Sequence, residues 1–418
     1  MKSHFLLLFL GLSYLGYYQP SFVGDFFPEF FTILWFLQCF VFYFIYEFVD
    51  IKKISTPFLI IFFGTCFFVN LSSAPIFEDD YFRYFWDGWM VSQLKNPYSA
   101  APLNLSPPEN LGKIWEQINY PHLTTIYPPV AQLFFGFLVL ISFKSFVFFK
   151  IILGTSSLIA LFLSKKVWDK FELPNSLKLI LLWGAHPIIL KEWTNSLHYD
   201  HLMVSFIFLS LLATTNIQKS LCLGFAGATK YIALLIFPFT GLPWNIRTIG
   251  IVVISFLLAW PFFGDPLQIV KSFIVFSQSW EWNRGLFELI RLIVGPHFSR
   301  MASGLIIISI WLYYAKKCYH QKSIHFNSLF IFLFFLVAIS PVANTWYFSW
   351  SILLLPLCSQ HIIRFGLISY PWIGLSYLMY SKKIPHLWVA KMWTLEGMII
   401  GLLFFLFLVR PKIKKLIA

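Results

Sequence analysis

A succession of long apolar runs limits what this chain can become more than any other feature. They fall near residues 4 to 19, 30 to 48, 57 to 73, 128 to 164, 177 to 192, 201 to 215, 219 to 243, 248 to 263, 301 to 315, 328 to 343, 346 to 360, 363 to 380 and 395 to 409. A helix crossing the hydrocarbon core takes about 20 predominantly apolar residues, so the pattern predicts about eleven to thirteen transmembrane helices. Composition agrees, with 58% of the 418 residues hydrophobic and only 12% charged. The expected fold class is an all-α polytopic membrane protein. It is expected to be a single domain over residues 1–418, since no hydrophilic stretch between the runs is long enough for a soluble one.

Two runs do not read as simple spans. Residues 128 to 164 carry Lys144 and Lys150, which leaves two helices or one span plus a re-entrant piece open. Residues 219 to 244 are interrupted by Gly224, Gly227, Thr229 and Lys230, a pattern that predicts two half-helices meeting at Lys230. The first run follows Lys2 but precedes no small-x-small cleavage site, so it is read as a retained span and not a removed signal.

The net charge of +13 does not point to nucleic acid. Its lysines sit in short clusters between apolar runs, as at Lys52-Lys53, Lys165-Lys166, Lys316-Lys317 and Lys414-Lys415, which is how cytoplasmic loops are marked. With Lys52-Lys53 inside, the next span leads outward and the 74–127 loop lies on the outer side. Carrying the alternation on brings His198, the segment up to Arg300 and Asn344 to the same side. Cys39, Cys66, Cys222, Cys318 and Cys358 have no paired spacing and none lies in the loop, so neither a disulfide framework nor a zinc site is expected.

The outer loop opposes the rest of the chain in charge. It holds six carboxylates (Glu78, Asp79, Asp80, Asp87, Glu109, Glu116) against Arg83, Lys95 and Lys113, a net of −3. Its prolines and aromatics predict a folded extracytoplasmic cap carrying short helices. Carboxylates kept beside a span usually line a polar site, because ionised groups at membrane depth are costly. If the loop begins as a helix, Asp80, Arg83, Tyr84 and Asp87 share one face.

The order Asp80-x-x-Arg83-Tyr84-x-Trp86-Asp87-Gly88, Asn96-Pro97-Tyr98, Ile118-Asn119-Tyr120-Pro121 and Thr125-Ile126-Tyr127-Pro128-Pro129 resembles the first outer loop of bacterial polyprenyl-phosphate-mannose-dependent mannosyltransferases of the GT-C superfamily. Ala185-His186-Pro187, His198-Tyr199-Asp200, Ala228-Thr229-Lys230-Tyr231, Ser340-Pro341-Val342 and Trp346-Tyr347 are similar to further landmarks of that family. The resemblance implies a GT-C-like bundle, a polyprenyl-phosphate sugar as donor, a lipid-linked or glycan acceptor, inversion at the anomeric carbon, and a bacterial inner-membrane enzyme working on the outer face among membrane lipids.

A phosphate leaving group needs little protonation, so such a transfer requires one base, whereas glycosidases use paired carboxyl groups. Asp80, at the Asp-x-x-Arg-Tyr position, is the expected base, with Asp79 as second choice, Arg83 as the partner orienting Asp80, and Asp87-Gly88 as a turn or cap. His198, held charged by nearby Asp200, together with Lys230 and Arg291, are the candidates to meet the departing phosphate. Tyr84, Tyr98, His122, Tyr127, Trp346 and Tyr347 are candidate sugar contacts, although an aromatic belt at the interface explains them equally well. No cofactor and no divalent metal are expected, because Glu78-Asp79-Asp80 lacks further ligands. Two other readings stay open: a lipid-linked glycan transporter or flippase, and an O-antigen ligase or polymerase type of enzyme.

Overall fold

The computed structural model describes residues 2–258, 266–321 and 324–417. The fold is helical. Among the described residues there is no strand, and the isolated bridge is Trp282 with Val342. Among the described residues, five helices are long and apolar enough to cross a membrane: Gly24–Phe48, Phe146–Lys170, Pro296–His320, Gln360–Tyr380 and Trp388–Phe407. Six shorter apolar helices accompany them: His4–Tyr18, Thr56–Ser72, Pro129–Ile141, Asp200–Leu212, Ile246–Ser255 and Phe326–Ala338. An all-helical polytopic membrane protein follows from the set. The end of the expected 248 to 263 run lies outside the described residues.

Both ambiguous runs are broken, the first beside Lys144 and the second at Lys230. Residues 128 to 164 form two helices, Pro129–Ile141 and Phe146–Lys170, reversed by Phe143 and Lys144 at φ 53° and 58°. The second run ends as the Asn216–Thr229 helix, whose start is capped reciprocally by Thr215 and Gln218. Lys230 then becomes extended at φ −146°, and a 3-10 helix, Tyr231–Phe239, continues. The expected 346 to 360 span differs: it is a chain of short turns, Thr345–Phe348, Ser349–Ile352 and Leu355–Leu357. Pro356 has no N–H to continue a helix, and these turns are buried by neighbouring helices instead of by lipid.

The 74–127 loop is built on one helix, Asp80–Ser92. It lies against Pro129–Ile141 at very short range, because a Cβ on Gly88 would come 2.5 Å from the Phe135 carbonyl oxygen and one on Gly136 would come 2.5 Å from Val91. Larger side chains would force the pair apart. Around this contact Tyr84, Phe85, Trp86, Phe135, Phe149, Leu197 and Tyr199 form a core separate from the main one. Three short helical turns, Pro102–Asn104, Glu109–Leu111 and Gly112–Trp115, complete the cap.

Candidate active site

The consecutive carboxylates Glu78, Asp79 and Asp80 diverge as the backbone enters the helix, just after Phe77 at φ 62°. Glu78 turns inward, 3.7 Å from Lys191 Nζ and 3.9 Å from His198 Nε2, and takes the Tyr380 hydroxyl at 3.4 Å. Asp79 and Asp80 share one amide, Asn119 Nδ2, which donates to Asp79 Oδ1 at 2.8 Å and to Asp80 Oδ1 at 2.6 Å. Tyr84 donates to Asp80 Oδ2 at 3.3 Å. Burial, then the neighbouring Asp79, push the Asp80 carboxyl up to about 6, against Asn119 and Lys230, which favour its charge. Burial likewise raises Asp79, and raises Glu78 well above the usual range in spite of Lys191.

Arg83 does not pair with Asp80. It donates to Asp87 at 2.9 Å, and both ions are nearly inaccessible. Asp87 also accepts from Gln132 Nε2 at 3.1 Å, and the Arg83 guanidinium reaches the Leu123 carbonyl at 3.2 Å. Asp87 is therefore neither turn nor cap. It is the anchor of a buried ion pair that ties the end of the loop to the helix where the loop begins.

These groups surround a cavity of about 430 Å³. Glu78, Asp79, Asp80, Asn119, Tyr120, Trp280, Trp282 and Tyr380 line it together with Tyr127, Tyr199, Lys230, Trp346 and Tyr347. A second, more apolar groove of about 590 Å³ adjoins it, walled by Ile232, Leu235, Phe273, Ile307, Leu336 and Val337 and edged by Arg300. Ile126, Tyr127, Tyr199, Lys230, Phe276 and Tyr347 line both. Lys230 thus stands at the junction of a polar chamber and an apolar groove. Its ammonium bonds Asp200 at 2.5 Å and lies over the rings of Tyr199, Tyr347 and Trp350. Asp200 also accepts from Trp350 Nε1.

His198 is not Asp200's partner. It is fully buried, stacked on Trp346 with ring centroids 4.1 Å apart, and its Nδ1 lies 3.4 Å from the Tyr84 hydroxyl. Burial, aided by Lys191 and Lys230, moves its pKa well below the ordinary value, so the ring is neutral. The expected pairing with Asp200 is not formed, because that aspartate faces Lys230 and Trp350 instead. Glu192, beside it at 3.7 Å, takes Lys191, Thr345 and Tyr377.

Arg83, Tyr84, Tyr127, Lys230, Trp346 and Tyr347 line the chamber with Asp79 and Asp80, while His198 and Asp200 support it from behind. Three expected residues are not brought there. Tyr98 is buried with its hydroxyl on the Tyr127 carbonyl at 2.5 Å, His122 is exposed, and Arg291 is bonded to Glu281 at 3.2 Å on the Gly285–Val294 helix. Asn119, Trp280, Trp282, Tyr380 and the Lys191-Glu192 pair join the site without having been expected, and Glu78 joins it from the acidic cluster without an assigned role. Lys191 and Glu192 carried a readable signal, two charges ending an apolar run. They fall in a π-helical turn, Ile189–Asn195, a geometry frequent at functional sites. Among the described residues no group of three or more His, Cys, Asp and Glu is arranged to hold a metal ion.

Residues 67–246 match the family model described as alpha-(1->6)-mannopyranosyltransferase, N-terminal domain. This stretch, somewhat under half of the chain, is similar to that mannosyltransferase family. The mannosyltransferase match takes in the three carboxylates, Asn119, Tyr127, His198, Asp200 and Lys230, and ends before Trp280 and Trp346 supply the rest of the chamber. No curated protein and no solved structure gives a significant match to the chain.

Proposed function

We propose that this membrane mannosyltransferase moves mannose from a polyprenyl-phosphate donor to a lipid-linked or glycan acceptor on the outer face of a bacterial inner membrane, with inversion at the anomeric carbon. The observation that carries the reading is the position of Lys230, at the border between the polar chamber and the apolar groove, with Asp80 in the wall of the same chamber. A prenyl chain suits the groove, and its phosphate then meets the ammonium. The mannosyl group projects toward Asp80. Asp80 removes the proton of the acceptor hydroxyl as its oxygen attacks the anomeric carbon, and the carbon–oxygen bond to phosphate breaks on the opposite side. One base suffices for that displacement, because the departing phosphate stabilises its own charge and Lys230 adds to it. No cofactor takes part in this scheme.

Transferase and flippase readings differ in product, and ligase-type enzymes differ in donor. Purified protein would be given polyprenyl-phospho-mannose, a polyprenyl-diphospho-oligosaccharide, or GDP-mannose, each with a mannoside acceptor. Transfer from the first alone, giving a product of anomeric configuration opposite to the donor's, is the expected result. Transfer from the diphospho-oligosaccharide, or movement of lipid across vesicles without a new glycosidic bond, would overturn it.

A further inference from the structure

Asn119 lies 39 residues beyond Asp80 along the chain, yet its side-chain nitrogen makes the two shortest hydrogen bonds to the carboxylate pair, at 2.6 and 2.8 Å. An amide nitrogen carries two N–H groups, and here each is given to a different carboxylate. Adjacent like charges otherwise favour sharing one proton between them, which would leave the base partly neutral and free to rotate. We propose that Asn119 is a positioning residue that holds Asp79 and Asp80 apart as two separate carboxylates and fixes the orientation of Asp80 as a base. This rests on Asp80 acting as the base in the reading above.

Other groups facing Asp80 do not duplicate this role. On its own segment stand Glu78, Asp79 and Tyr84, of which Tyr84 makes a longer bond at 3.3 Å. His198, from the 196–199 link, is 4.0 Å away and neutral, and the Lys230 ammonium is engaged by Asp200. Tyr127 and Tyr347 line the same chamber, while Lys191 and Glu192 adjoin Glu78. Asn119 is thus the donor whose loss leaves the pair without a direct short contact. An amide also suits the place better than a carboxylate or an ammonium. A third carboxylate would add repulsion, and a cation would compete with Lys230 for the anionic donor.

The test is a pH–rate profile for mannosyl transfer by the full-length protein and by Asn119→Ala and Asn119→Asp. In wild type kcat should fall on the acid side as Asp80 takes up its proton. Losing a hydrogen bond to a charged acceptor corresponds to about one pH unit or somewhat more, so the acid limb of Asn119→Ala should move upward by that amount and recover part of its loss at high pH. Asn119→Asp should move it further in the same direction. The KM for the donor, which Lys230 and the groove govern, should stay within about twofold in Asn119→Ala. A merely structural role would lower kcat equally at every pH and leave the limb unmoved in both variants, and that result would overturn the proposal. Absence of transfer from polyprenyl-phospho-mannose by the wild type at every pH would instead overturn the reading beneath it.

Discussion

Two charged regions gather near the chamber, and they use their charges in opposite ways. Around Asp80 the carboxylates exceed the cations, two of them share the Asn119 amide, and all three of Glu78, Asp79 and Asp80 line a cavity. In the 281–300 segment, Glu281 takes Arg284 at 2.5 Å, Arg291 at 3.2 Å and Arg300 at 3.4 Å, and Glu288 takes Arg284 at 3.2 Å. There the charges satisfy each other. Their work is structural: Arg300 also donates to the carbonyls of Ser277 and Trp280, and Trp282 exchanges backbone bonds with residues 341–343, so the network steadies the tryptophan wall. The lesson is that a cation near the membrane face is not thereby a phosphate ligand. Lys230 and Arg291 look alike in sequence, and only Lys230 borders the chamber.

The comparison is broken most directly at its acidic end. Asp80→Asn keeps the shape and the Asn119 contact through oxygen while removing the base, so kcat should fall by about 10² to 10⁴ with the protein still folded and inserted. Near-normal turnover in that variant, measured on protein of native thermal stability, would mean that Asp79 or no side chain is the base. Lys230→Met comes next. Loss of a charge-assisted contact to phosphate is worth about 2 to 3 kcal/mol, or about 30- to 160-fold in kcat/KM. Because Asp200 would then be left buried with Trp350 as partner, the double variant Lys230→Met with Asp200→Asn should restore stability without restoring activity. If the double variant is active, the ammonium serves Asp200 and not the donor.

Both outcomes depend on contacts of unequal legibility. The apolar runs announce the helices, and the break at Lys230 was readable because glycines and a charge interrupt an otherwise lipid-compatible segment. The face shared by Asp80, Arg83, Tyr84 and Asp87 was readable too, since helical spacing alone determines it. Which carboxylate Arg83 would choose was not. Three and four residues are both within reach, and the choice of Asp87 is made by Gln132 and the Leu123 carbonyl, both supplied by chain that returns much later. Proximity in sequence misled for His198 and Asp200. The helix begins at Asp200, so the two side chains leave the backbone toward different neighbours, Trp346 on one side and Lys230 on the other.

The pH dependence sharpens the acidic region by itself. With its carboxyl pushed up to about 6, Asp80 is ionised and competent above that value and loses its proton-accepting form as pH falls through it. Between pH 7 and pH 5 the ionised fraction, and with it kcat, should drop about tenfold. A flat profile down to pH 4 would mean that the base titrates as an exposed carboxylate, and so that the chamber is wetter than the burial of Asp80 implies.

The smallest effect is expected at Arg291, and it tests the other half of the comparison. Arg291→Gln removes a partly exposed ion pair, worth about 0 to 1 kcal/mol, while Arg284 and Arg300 still hold Glu281. Transfer at saturating donor should therefore stay within about threefold of wild type, in contrast with Lys230→Met on the same substrate. A loss as large as that of the lysine variant, appearing in donor KM, would mean that the arginine network reaches the phosphate after all and that the two regions act as one site. A loss confined to acceptor KM would instead locate its effect in the Trp280 and Trp282 wall, where the bonds of Arg300 and Glu281 already lead.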